Sequence, residues 1–358
     1  MSSASRYQKQ VLFHGITEAG QQRLGDRTVL LVGCGALGCV LADAMARAGV
    51  GELRIVDRDF VELSNLQRQT LFTEHDVQEH LPKAIAAQRR LELINSEIRI
   101  VPEVADVSDT NIHQFAEGAD LLLDGTDNFE TRYLVNDVSL DLGIPWIFTG
   151  CTGSHGQMMP VFPHQSACLR CLMPAPPPPG STETCDTAGV LGPAIGVIAS
   201  LQAATALRIL VTDPDPDTDD DTTIKSIRGV PLHLTMVDVW DQTFRQMDVS
   251  ALRDQSRCPA CHDGERLWLN GRQASGSTIL CGRNAVQISP PEKLTLSLAE
   301  LASRLESAGE VTSNPFLVRV AIRDSPLQMT VFPDGRAIIK GTEDPAVSRS
   351  VYARYIGS

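Results

Sequence analysis

The sequence has little positive charge compared with its negative charge. It contains 31 lysines and arginines against 44 aspartates and glutamates, and its formal net charge at pH 7 is -13. Such a chain does not attract nucleic acid or anionic membranes, so we expect no nucleic-acid partner and no membrane partner. An apolar N-terminal segment is also missing, because the first ten residues read MSSASRYQKQ. This start does not have the pattern of a signal peptide, and we expect a cytoplasmic protein.

Long hydrophobic runs are nearly absent. The exception begins at Gly189 and reads GVLGPAIGVIASLQAATALRILV. Its length would suffice to cross a bilayer, but it contains Gln202 and Arg208 and begins with glycine and proline. These features predict a buried helix in preference to a membrane span.

Cysteine, in contrast, is well represented, with nine residues that include two C-x-x-C pairs. A long chain without an export signal and with paired cysteines is typical of a reduced, metal-binding protein. Four thiolates form a closed tetrahedral Zn²⁺ site with a structural role, and the alternative is four buried or disulfide-bonded cysteines. The predicted zinc ligands are Cys168, Cys171, Cys258 and Cys261. The cysteines predicted to be packing residues are Cys34, Cys39, Cys151 and Cys281.

The hydrophobic pattern predicts an α/β fold. Residues 27–33 and 52–57 are short apolar runs rich in β-branched residues, and a segment of helical spacing lies between them. This order predicts a right-handed βαβ unit in a doubly wound, mostly parallel, Rossmann-like sheet. Further predicted strands lie at 97–104, 119–125 and 145–150, with helices near 82–94 and 129–142 and antiparallel additions at 158–162 and 234–240.

A change in composition predicts two domains. Residues 1–264 contain the α/β pattern, and residues 265–358 contain short strands, a PDG turn and one helical segment near 297–308. We therefore expect a small α+β domain at the C-terminus. Residues 173–189 are rich in proline and predict an extended loop, and residues 212–223 are an acidic surface loop.

A nucleotide site is predicted by the glycines of the βαβ unit. Gly33, Gly35 and Gly38 form G-x-G-x-x-G between a strand and a helix, and Asp57 ends the next strand. Glycines let the backbone approach phosphates at a helix N-terminus, and the acid accepts hydrogen bonds from ribose hydroxyls. The alternative is that the glycines only allow the strand and helix to pack closely.

The loop after Asp57 has more polar groups than a dinucleotide site requires. The segment SNLQRQ supplies Asn65, Arg68 and Gln69, and Lys83 follows within one helical segment. Two cations near a ribose-binding acid suit a polyphosphate whose charge grows during the reaction. An NAD-dependent oxidoreductase would explain the glycines and the acid, but neither the cations nor the cysteine pairs.

A second polar loop follows the strand predicted at 119–125. It reads DGTDNFETR and contains Asp127, Asn128 and Arg132. The carboxyl ends of parallel strands form the ligand crevice of such sheets, so this loop and the loop after Asp57 should meet. Asp127 is placed there to bind Mg²⁺ that bridges phosphate oxygens.

These segments together resemble the MoeB/ThiF adenylyltransferases, the bacterial relatives of ubiquitin-activating enzymes. The resemblance covers residues 6 to about 262, with RYQKQ, GCGALGC, AGVGELRIVDRDFVELSNLQRQ, TDNFETR, CLRC, ETCDTAGVLGP and CPAC in the family's order. It implies an adenylation domain that uses ATP to adenylate the C-terminal Gly-Gly carboxylate of a small ubiquitin-like sulfur carrier protein of MoaD/ThiS type. It also implies that pyrophosphate is released and that the protein serves molybdopterin or thiamin-thiazole biosynthesis.

The resemblance also implies roles for individual residues. Asp57 would hold the ribose, Asn65, Arg68 and Lys83 the phosphates, and Asp127 the Mg²⁺. The nucleotide-binding set so implied is Gly33, Gly35, Ala36, Gly38, Asp57, Asp59, Ser64, Asn65, Leu66, Gln67, Arg68, Gln69, Lys83, Asp127, Asn128 and Arg132. The catalytic set is Arg68, Lys83, Asp127, Cys185 and Lys9.

Two positions depart from the family pattern. Ala36 stands where relatives have a second glycine, and its methyl group narrows the approach of the phosphate slightly. Lys9 stands where relatives have an arginine that reaches into the ATP site of the partner in a homodimer. Lysine keeps the charge but loses the forked geometry, so we expect a homodimer in which this contact is weaker.

Cys185 lies in the Pro-rich loop, in ETCDTAG. In relatives a cysteine there forms a covalent link to the carrier or its sulfur, which implies a persulfide sulfur donor as a further partner; an ordinary loop thiol is the alternative. The C-terminal domain lacks the Cys-headed loop of a rhodanese domain. Two further alternatives are a catalytically inactive adaptor and a related tRNA-base dehydratase, whose relatives lack the zinc pairs.

Overall fold

The structure is a computed structural model, and it describes residues 6–177, 185–212, 226–227, 229–271, 277–280, 284–290 and 294–357. Cys281, residues 178–184 of the Pro-rich loop and most of the acidic loop lie outside the described residues. The chain divides into two compact units, Met1–Gln273 and Ala274–Ser358.

The division between the units lies slightly after the boundary at 264/265 that the sequence predicts. The reason is Trp268, whose ring stacks on Tyr133 with centroids 4.3 Å apart. Its backbone N–H also donates to Asp137 Oδ2 at 3.0 Å. These contacts attach the segment after the second cysteine pair to the first unit.

The first unit is built around an eight-stranded sheet. Its strands are β1 (Thr28–Val32), β2 (Glu52–Val56), β3 (Arg99–Glu103), β4 (Leu121–Asp124), β5 (Trp146–Thr152), β6 (His155–Val161), β9 (His233–Asp238) and β10 (Thr243–Asp248), while β7 (Ser226–Ile227) and β8 (Val230–Pro231) pair separately. The order in the sheet is β10-β9-β6-β5-β4-β1-β2-β3. Strands β1 to β5 run parallel to one another, and β6, β9 and β10 pair antiparallel with their neighbours. The predicted mostly parallel, doubly wound sheet with antiparallel additions is confirmed.

Helices connect the parallel strands. The helices of the first unit are α1 (Gln8–Val11), α2 (Thr17–Gly25), α3 (Ala36–Ala48), α4 (Glu74–Gln78), α5 (Lys83–Ile94), α6 (Ile112–Ala116), α7 (Phe129–Leu142), α8 (Leu169–Leu172), α9 (Cys185–Ala188), α10 (Gly192–Val211), α11 (Leu252–Ser256) and α12 (Pro259–His262). Helix α3 ends at Gly49, whose φ of +83° is the left-handed conformation that glycine adopts easily. Helix α7 begins where the Asn128 side chain accepts a hydrogen bond from the Thr131 N–H.

Helix α10 is the long apolar run of the sequence. By length and composition it could cross a membrane, but 56% of an 18-residue apolar stretch of this helix is buried inside the protein. It packs against α3 and against β5 and β6. The prediction that this run is a buried helix agrees with that packing.

The second unit contains an antiparallel sheet in the order β11-β12-β16-β15-β14-β13. Its strands are β11 (Ser277–Leu280), β12 (Ala285–Ile288), β13 (Gly309–Asn314), β14 (Leu317–Ile322), β15 (Gln328–Val331) and β16 (Ala337–Lys340), and its helices are α13 (Leu298–Leu305) and α14 (Pro345–Tyr355). Leu301, Leu305 and Tyr352 of the helices belong to one apolar core with residues of β12 and β14 to β16.

Candidate functional site

The Gly-rich segment between β1 and α3 packs against the turn that follows β4. Gly33 has a φ of +87°, and a Cβ there would lie 2.8 Å from the Gly125 carbonyl oxygen. A Cβ on Gly38 or on Gly125 would collide with the Gly33 carbonyl oxygen. Close backbone packing therefore accounts for these three glycines. Gly35 differs, because a Cβ there would meet nothing closer than 3.9 Å, and the space beside it is open at the N-terminus of α3.

Ala36 is the first residue of α3 and is half-buried. The α3 N-terminus exposes backbone N–H groups that lack partners within the helix and carries a partial positive charge. Together with the open space at Gly35, this arrangement fits the phosphates of a nucleotide.

Asp57 joins this segment to the loop after β2. Its Oδ2 accepts a hydrogen bond of 2.6 Å from the Cys34 N–H, and its Oδ1 accepts one of 2.7 Å from the Asp59 N–H. The side chain is buried, and burial raises the pKa of its carboxyl above the ordinary value, while the nearby Lys83 opposes the shift. The carboxylate is thus held in a fixed position beside the N-terminus of α3.

Lys83 is the first residue of α5 and is only 4% exposed. Its Nζ lies 3.1 Å from Asp59 Oδ2, and its backbone N–H donates to the Asp59 carbonyl at 2.9 Å. A buried ammonium needs a partner of opposite charge, and Asp59 supplies it. The pair places a cation next to Asp57.

Asn65 and Arg68 lie in the loop between β2 and α4, which contains a 3₁₀ turn at Leu63–Asn65. Asn65 is buried, and its Oδ1 accepts from the Glu62 N–H at 3.0 Å. Arg68 is half-buried, and its Nη1 donates to the Ser64 carbonyl at 3.0 Å. Arg68 makes no ion pair with the described residues, so its charge is available to a ligand.

Gln69 has an unusual environment in the same loop. It is 4% exposed, and its Oε1 has no hydrogen-bond partner among the described residues. Its Nε2 is 4.0 Å from the position that a Cβ on Gly35 would occupy. A buried acceptor without a partner is costly, so this atom fits a ligand that donates a hydrogen bond. Its neighbours Leu66 and Gln67 are half-buried and exposed, respectively.

The turn after β4 is held by a buried ion pair. Asp124 is 0% exposed, and its Oδ1 accepts from the Thr126 N–H at 2.9 Å and from the Thr126 hydroxyl at 2.7 Å. Arg132 Nε lies 3.2 Å from Asp124 Oδ2, and Arg132 Nη2 donates to the Thr126 carbonyl at 2.8 Å. Burial raises the pKa of Asp124, and Arg132 opposes the shift. The guanidinium, predicted from the sequence to bind the nucleotide, is directed towards protein groups.

Asp127 follows Thr126, whose carbonyl Arg132 holds, and it is exposed at the carboxyl edge of the sheet. Asn128 is half-buried, and its Oδ1 accepts from the Thr131 N–H at 2.8 Å as the N-cap of α7. The structure therefore brings the loops after β1, β2 and β4 to one edge of the sheet. The donor atoms of Asp127 suit Mg²⁺, which prefers carboxylate oxygens and water.

Sequence reasoning missed two residues that support the site. Gly125 follows a buried strand directly, and that position was the signal of its close approach to Gly33. Gln202 is completely buried in α10, and its Nε2 donates to the carbonyls of Asp124 at 3.2 Å and Ile147 at 3.3 Å. A single glutamine in an apolar run was the signal, because a buried amide requires polar partners.

Lys9 does not belong to this group of residues. It is exposed on α1, and the neighbouring Gln10 donates to the carbonyl of Ala48, the last residue of α3, at 2.9 Å. Helix α3 has 13 residues and spans about 18 Å at 1.5 Å per residue. Lys9 therefore lies at the end of α3 opposite to Gly35.

The four paired cysteines converge in the first unit. Their sulfurs all lie within 4.8 Å of one another, with 3.8 Å between Cys168 and Cys258 and 3.5 Å between Cys171 and Cys261. Four sulfurs at about 2.3 Å from a zinc ion occupy a tetrahedron of about this size. The cluster is compatible with zinc.

Cys185 begins the short helix α9, which contacts β5. The next residues return to the end of β5, where the Gly153 N–H donates to the Gly189 carbonyl at 3.0 Å. The backbone thus places Cys185 in a segment beside the carboxyl edge of the sheet.

Comparison with known proteins supports this arrangement. Residues 7–260 match the ThiF family. The sulfur carrier protein ThiS adenylyltransferase of Bacillus subtilis (strain 168) is 38% identical over 353 residues, which are 98% of this chain and 99% of the relative. The protein of the same name from Escherichia coli (strain K12) is 36% identical over 257 residues, or 72% of this chain and 94% of the relative.

Among solved structures, the microcin C7 biosynthetic enzyme MccB in complex with N-formylated MccA has a similar fold. Its TM-score is 0.57 at 22% identity, and the match covers 69% of this chain and 73% of that one. The family match and the nearly full-length relative agree with the resemblance that the motifs indicated. The chain belongs to the ThiF family.

Proposed function

We propose that this protein uses ATP to adenylate the C-terminal glycine carboxylate of a small ubiquitin-like sulfur carrier protein and releases pyrophosphate. The observation that carries this proposal is the meeting of the open α3 N-terminus, Asp57, Lys83 and Asp127 at one edge of the sheet. Relatives that match the chain over most of their length are named sulfur carrier protein adenylyltransferases.

The nucleotide fits with its phosphates at the α3 N-terminus. Asp57 accepts hydrogen bonds from the ribose, and Gln69 Oε1, which is buried without a partner, accepts one from a nucleotide donor group. Arg68 and Lys83 neutralise the phosphates. Lys83 is already held by Asp59, so it is oriented before ATP binds and little side-chain entropy is lost on binding.

The reaction joins two anions. A carboxylate oxygen of the carrier attacks the α-phosphorus, the bond to the bridging oxygen of pyrophosphate breaks, and an acyl-adenylate forms. A carboxylate is ionised at neutral pH, so no general base is needed. Catalysis then depends on alignment and on neutralisation of charge by Arg68 and Lys83.

Asp127, with Asn128 beside it, would hold Mg²⁺. The exposed carboxylate at the carboxyl end of β4 is the type of ligand that this ion uses when it also binds phosphates. A bound Mg²⁺ supplies further neutralisation of phosphate charge. Arg132 contributes by fixing the carbonyl of Thr126, the residue before Asp127, and we assign it a positioning role.

The active assembly in this proposal is a homodimer. Lys9 lies at the far end of α3 from the phosphate site, so it cannot serve the site of its own chain. The exposed side chains Leu12 and Phe13, at 72% and 55% exposure, lie three and four residues after Lys9 and supply apolar surface for the contact. A lysine in trans adds positive charge to the partner's triphosphate.

A ThiS-type carrier is the proposed substrate, because the relative that matches 98% of the chain is named for ThiS. The cysteine cluster is proposed to hold a structural Zn²⁺. Cys185 is proposed as the residue that links to the carrier: its thiolate attacks the carbonyl of the acyl-adenylate, a thioester forms and AMP leaves. A persulfide is the proposed sulfur donor.

The proposal is tested by pyrophosphate exchange into ATP with a purified Gly-Gly carrier. We expect exchange that depends on the carrier, and a carrier-adenylate by mass spectrometry. A carrier lacking its last glycine is the matched control and should abolish both signals. The absence of adenylate with every Gly-Gly carrier, in the presence of bound ATP, would contradict the proposal.

A further inference from the structure

The second unit contains a positively charged cleft that the adenylation reaction does not use. The cleft has a volume of about 550 Å³, which is within the range of small-molecule sites. It lies where the C-terminal ends of α13 and α14 meet the segment that follows β14. This unit follows the part of the chain that the ThiF family matches.

Three arginines line the cleft, and no acidic side chain of the described part of the chain lines it. They are Arg304 near the end of α13, Arg354 near the end of α14 and Arg323 after β14. The whole chain has a net charge of -13, so this concentration of positive charge is a local exception.

No carboxylate of the described residues forms an ion pair with these arginines. Arg304 Nη2 donates to the carbonyls of Tyr355 at 3.1 Å and Ile356 at 3.5 Å, and the Arg354 guanidinium lies 5.2 Å from the centroid of the Tyr355 ring. Among the described residues, Arg323 and Arg354 form no ion pair and no side-chain hydrogen bond. Attraction to helix C-termini accounts for Arg304 and Arg354, but Arg323 is on no helix.

The floor of the cleft is apolar. Leu305 is 2% exposed, and Ala308, Tyr355 and Ile356 are partly buried beside it. Guanidinium groups recognise oxyanions through paired N–H donors, and three positive charges suit a group of charge near -2 better than a single carboxylate. We propose that this cleft binds a small organic phosphate, with the phosphate among the arginines and an apolar body on the floor.

The test is hydrogen–deuterium exchange of the full chain with phenyl phosphate, inorganic phosphate and benzoate as probes. Phenyl phosphate should slow exchange in the peptides that contain residues 304–308 and 353–357, and inorganic phosphate and benzoate should do so less. The double variant Arg323→Ser/Arg354→Ser should weaken binding about tenfold or more, because two charge-assisted contacts are lost. Arg349→Ser, on α14 but outside the cleft lining, is the matched control and should bind like the unchanged protein.

Two results would overturn the proposal. One is the absence of probe-dependent protection in both peptides, and the other is protection that persists in the double variant at the same probe concentration. Unchanged thermal unfolding temperatures in both variants would show that the second unit is still folded. We expect this result because all three arginines are exposed. Stronger protection by benzoate than by phenyl phosphate would contradict the assignment to phosphate.

Discussion

Arg132 and Asp124 form a buried ion pair directly beneath the loop that contains Asp127. Arg132 Nε and Asp124 Oδ2 are 3.2 Å apart, with the two side chains 9% and 1% exposed. The guanidinium also lies 5.5 Å and 5.7 Å from the ring centroids of Phe129 and Phe148. Both ends of the turn are therefore tied to one side chain, which sets the position of Asp127.

Replacement of Arg132 tests this clamp. Arg132→Ala leaves Asp124 buried without its partner and should lower the free energy of unfolding by about 3–5 kcal/mol. Arg132→Lys keeps the charge, so the variant should remain folded. Its single ammonium cannot reach both Asp124 Oδ2 and the Thr126 carbonyl oxygen, so the variant should need more Mg²⁺ for half-maximal exchange. Denaturant unfolding and a Mg²⁺ titration of pyrophosphate exchange measure the two effects.

The exposed Arg90 on α5 provides the control, and Arg90→Ala should change neither quantity. An unchanged Mg²⁺ requirement in folded Arg132→Lys would show that the ion pair stabilises the fold without positioning Asp127.

Lys9 is expected to act on the partner's site, and mixed dimers test this. Lys9→Ala and Asp127→Ala should each lose most activity as homodimers. In a mixture of the two chains, each mixed dimer would contain one site with both defects and one site with none. Random pairing should then restore about a quarter of normal exchange.

The complementation experiment needs subunit exchange, which a differently tagged chain demonstrates by co-purification. If the mixed dimer forms and no activity returns, Lys9 acts within its own chain. Full activity of the Lys9→Ala homodimer would show that Lys9 has no role in catalysis.

Asp137 gives a pH-dependent stability that is independent of catalysis. It is completely buried, and burial raises its pKa from the ordinary value of 3.8 to about 6. A carboxyl whose pKa is raised by folding stabilises the fold fully below pH 3.8, and that contribution is lost as the pH rises through 6. Asp137→Asn should therefore increase stability at pH 8 by up to about 3 kcal/mol.

Urea unfolding of the unchanged protein and of Asp137→Asn at pH 5 and pH 8 measures the difference. Asp26→Asn, at an exposed position, is the control and should behave like the unchanged protein at both values. A substitution effect of the same size at pH 5 and pH 8 would rule out titration of Asp137.

The cysteine cluster is expected to bind one zinc ion per chain. Cys261→Ser removes one ligand and should reduce the zinc content to near zero, with a lower unfolding temperature because metal binding contributes to folding. Cys151→Ala changes a buried cysteine outside the cluster and should retain the metal. Elemental analysis of both purified variants distinguishes these results, and full zinc content in Cys261→Ser would contradict the assignment.

Much of the first unit was predictable from its sequence. Apolar runs such as 28–32 and 121–124 can be buried on both faces only in a central parallel strand, and the Gly49 stop signal ends α3 as expected. Strand β10 was missed because all six of its residues are exposed, so its sequence has no buried face to produce an alternating pattern. Helix α14 of the second unit was also missed. Only two of its residues, Ser348 and Tyr352, are buried, so the hydrophobic pattern of its sequence has a weak helical period.

The site was predictable in its residue types but not in their contacts. Parallel strand order places the loops after β1, β2 and β4 together, so the meeting of Gly35, Asp57 and Asp127 follows from topology. Whether an arginine points to ligand or to protein depends on a neighbour's burial, which the sequence does not reveal. Arg132 is an example, since Asp124 becomes its partner only because β4 is a central and fully buried strand.

The most direct measurement of the central claim is ATP–pyrophosphate exchange with a Gly-Gly carrier, compared between the unchanged protein and Lys83→Met. We predict carrier-dependent exchange in the unchanged protein, and its loss in the variant with the fold retained. Full exchange in Lys83→Met, or none in the unchanged protein with ATP bound and a carrier present, would contradict the account.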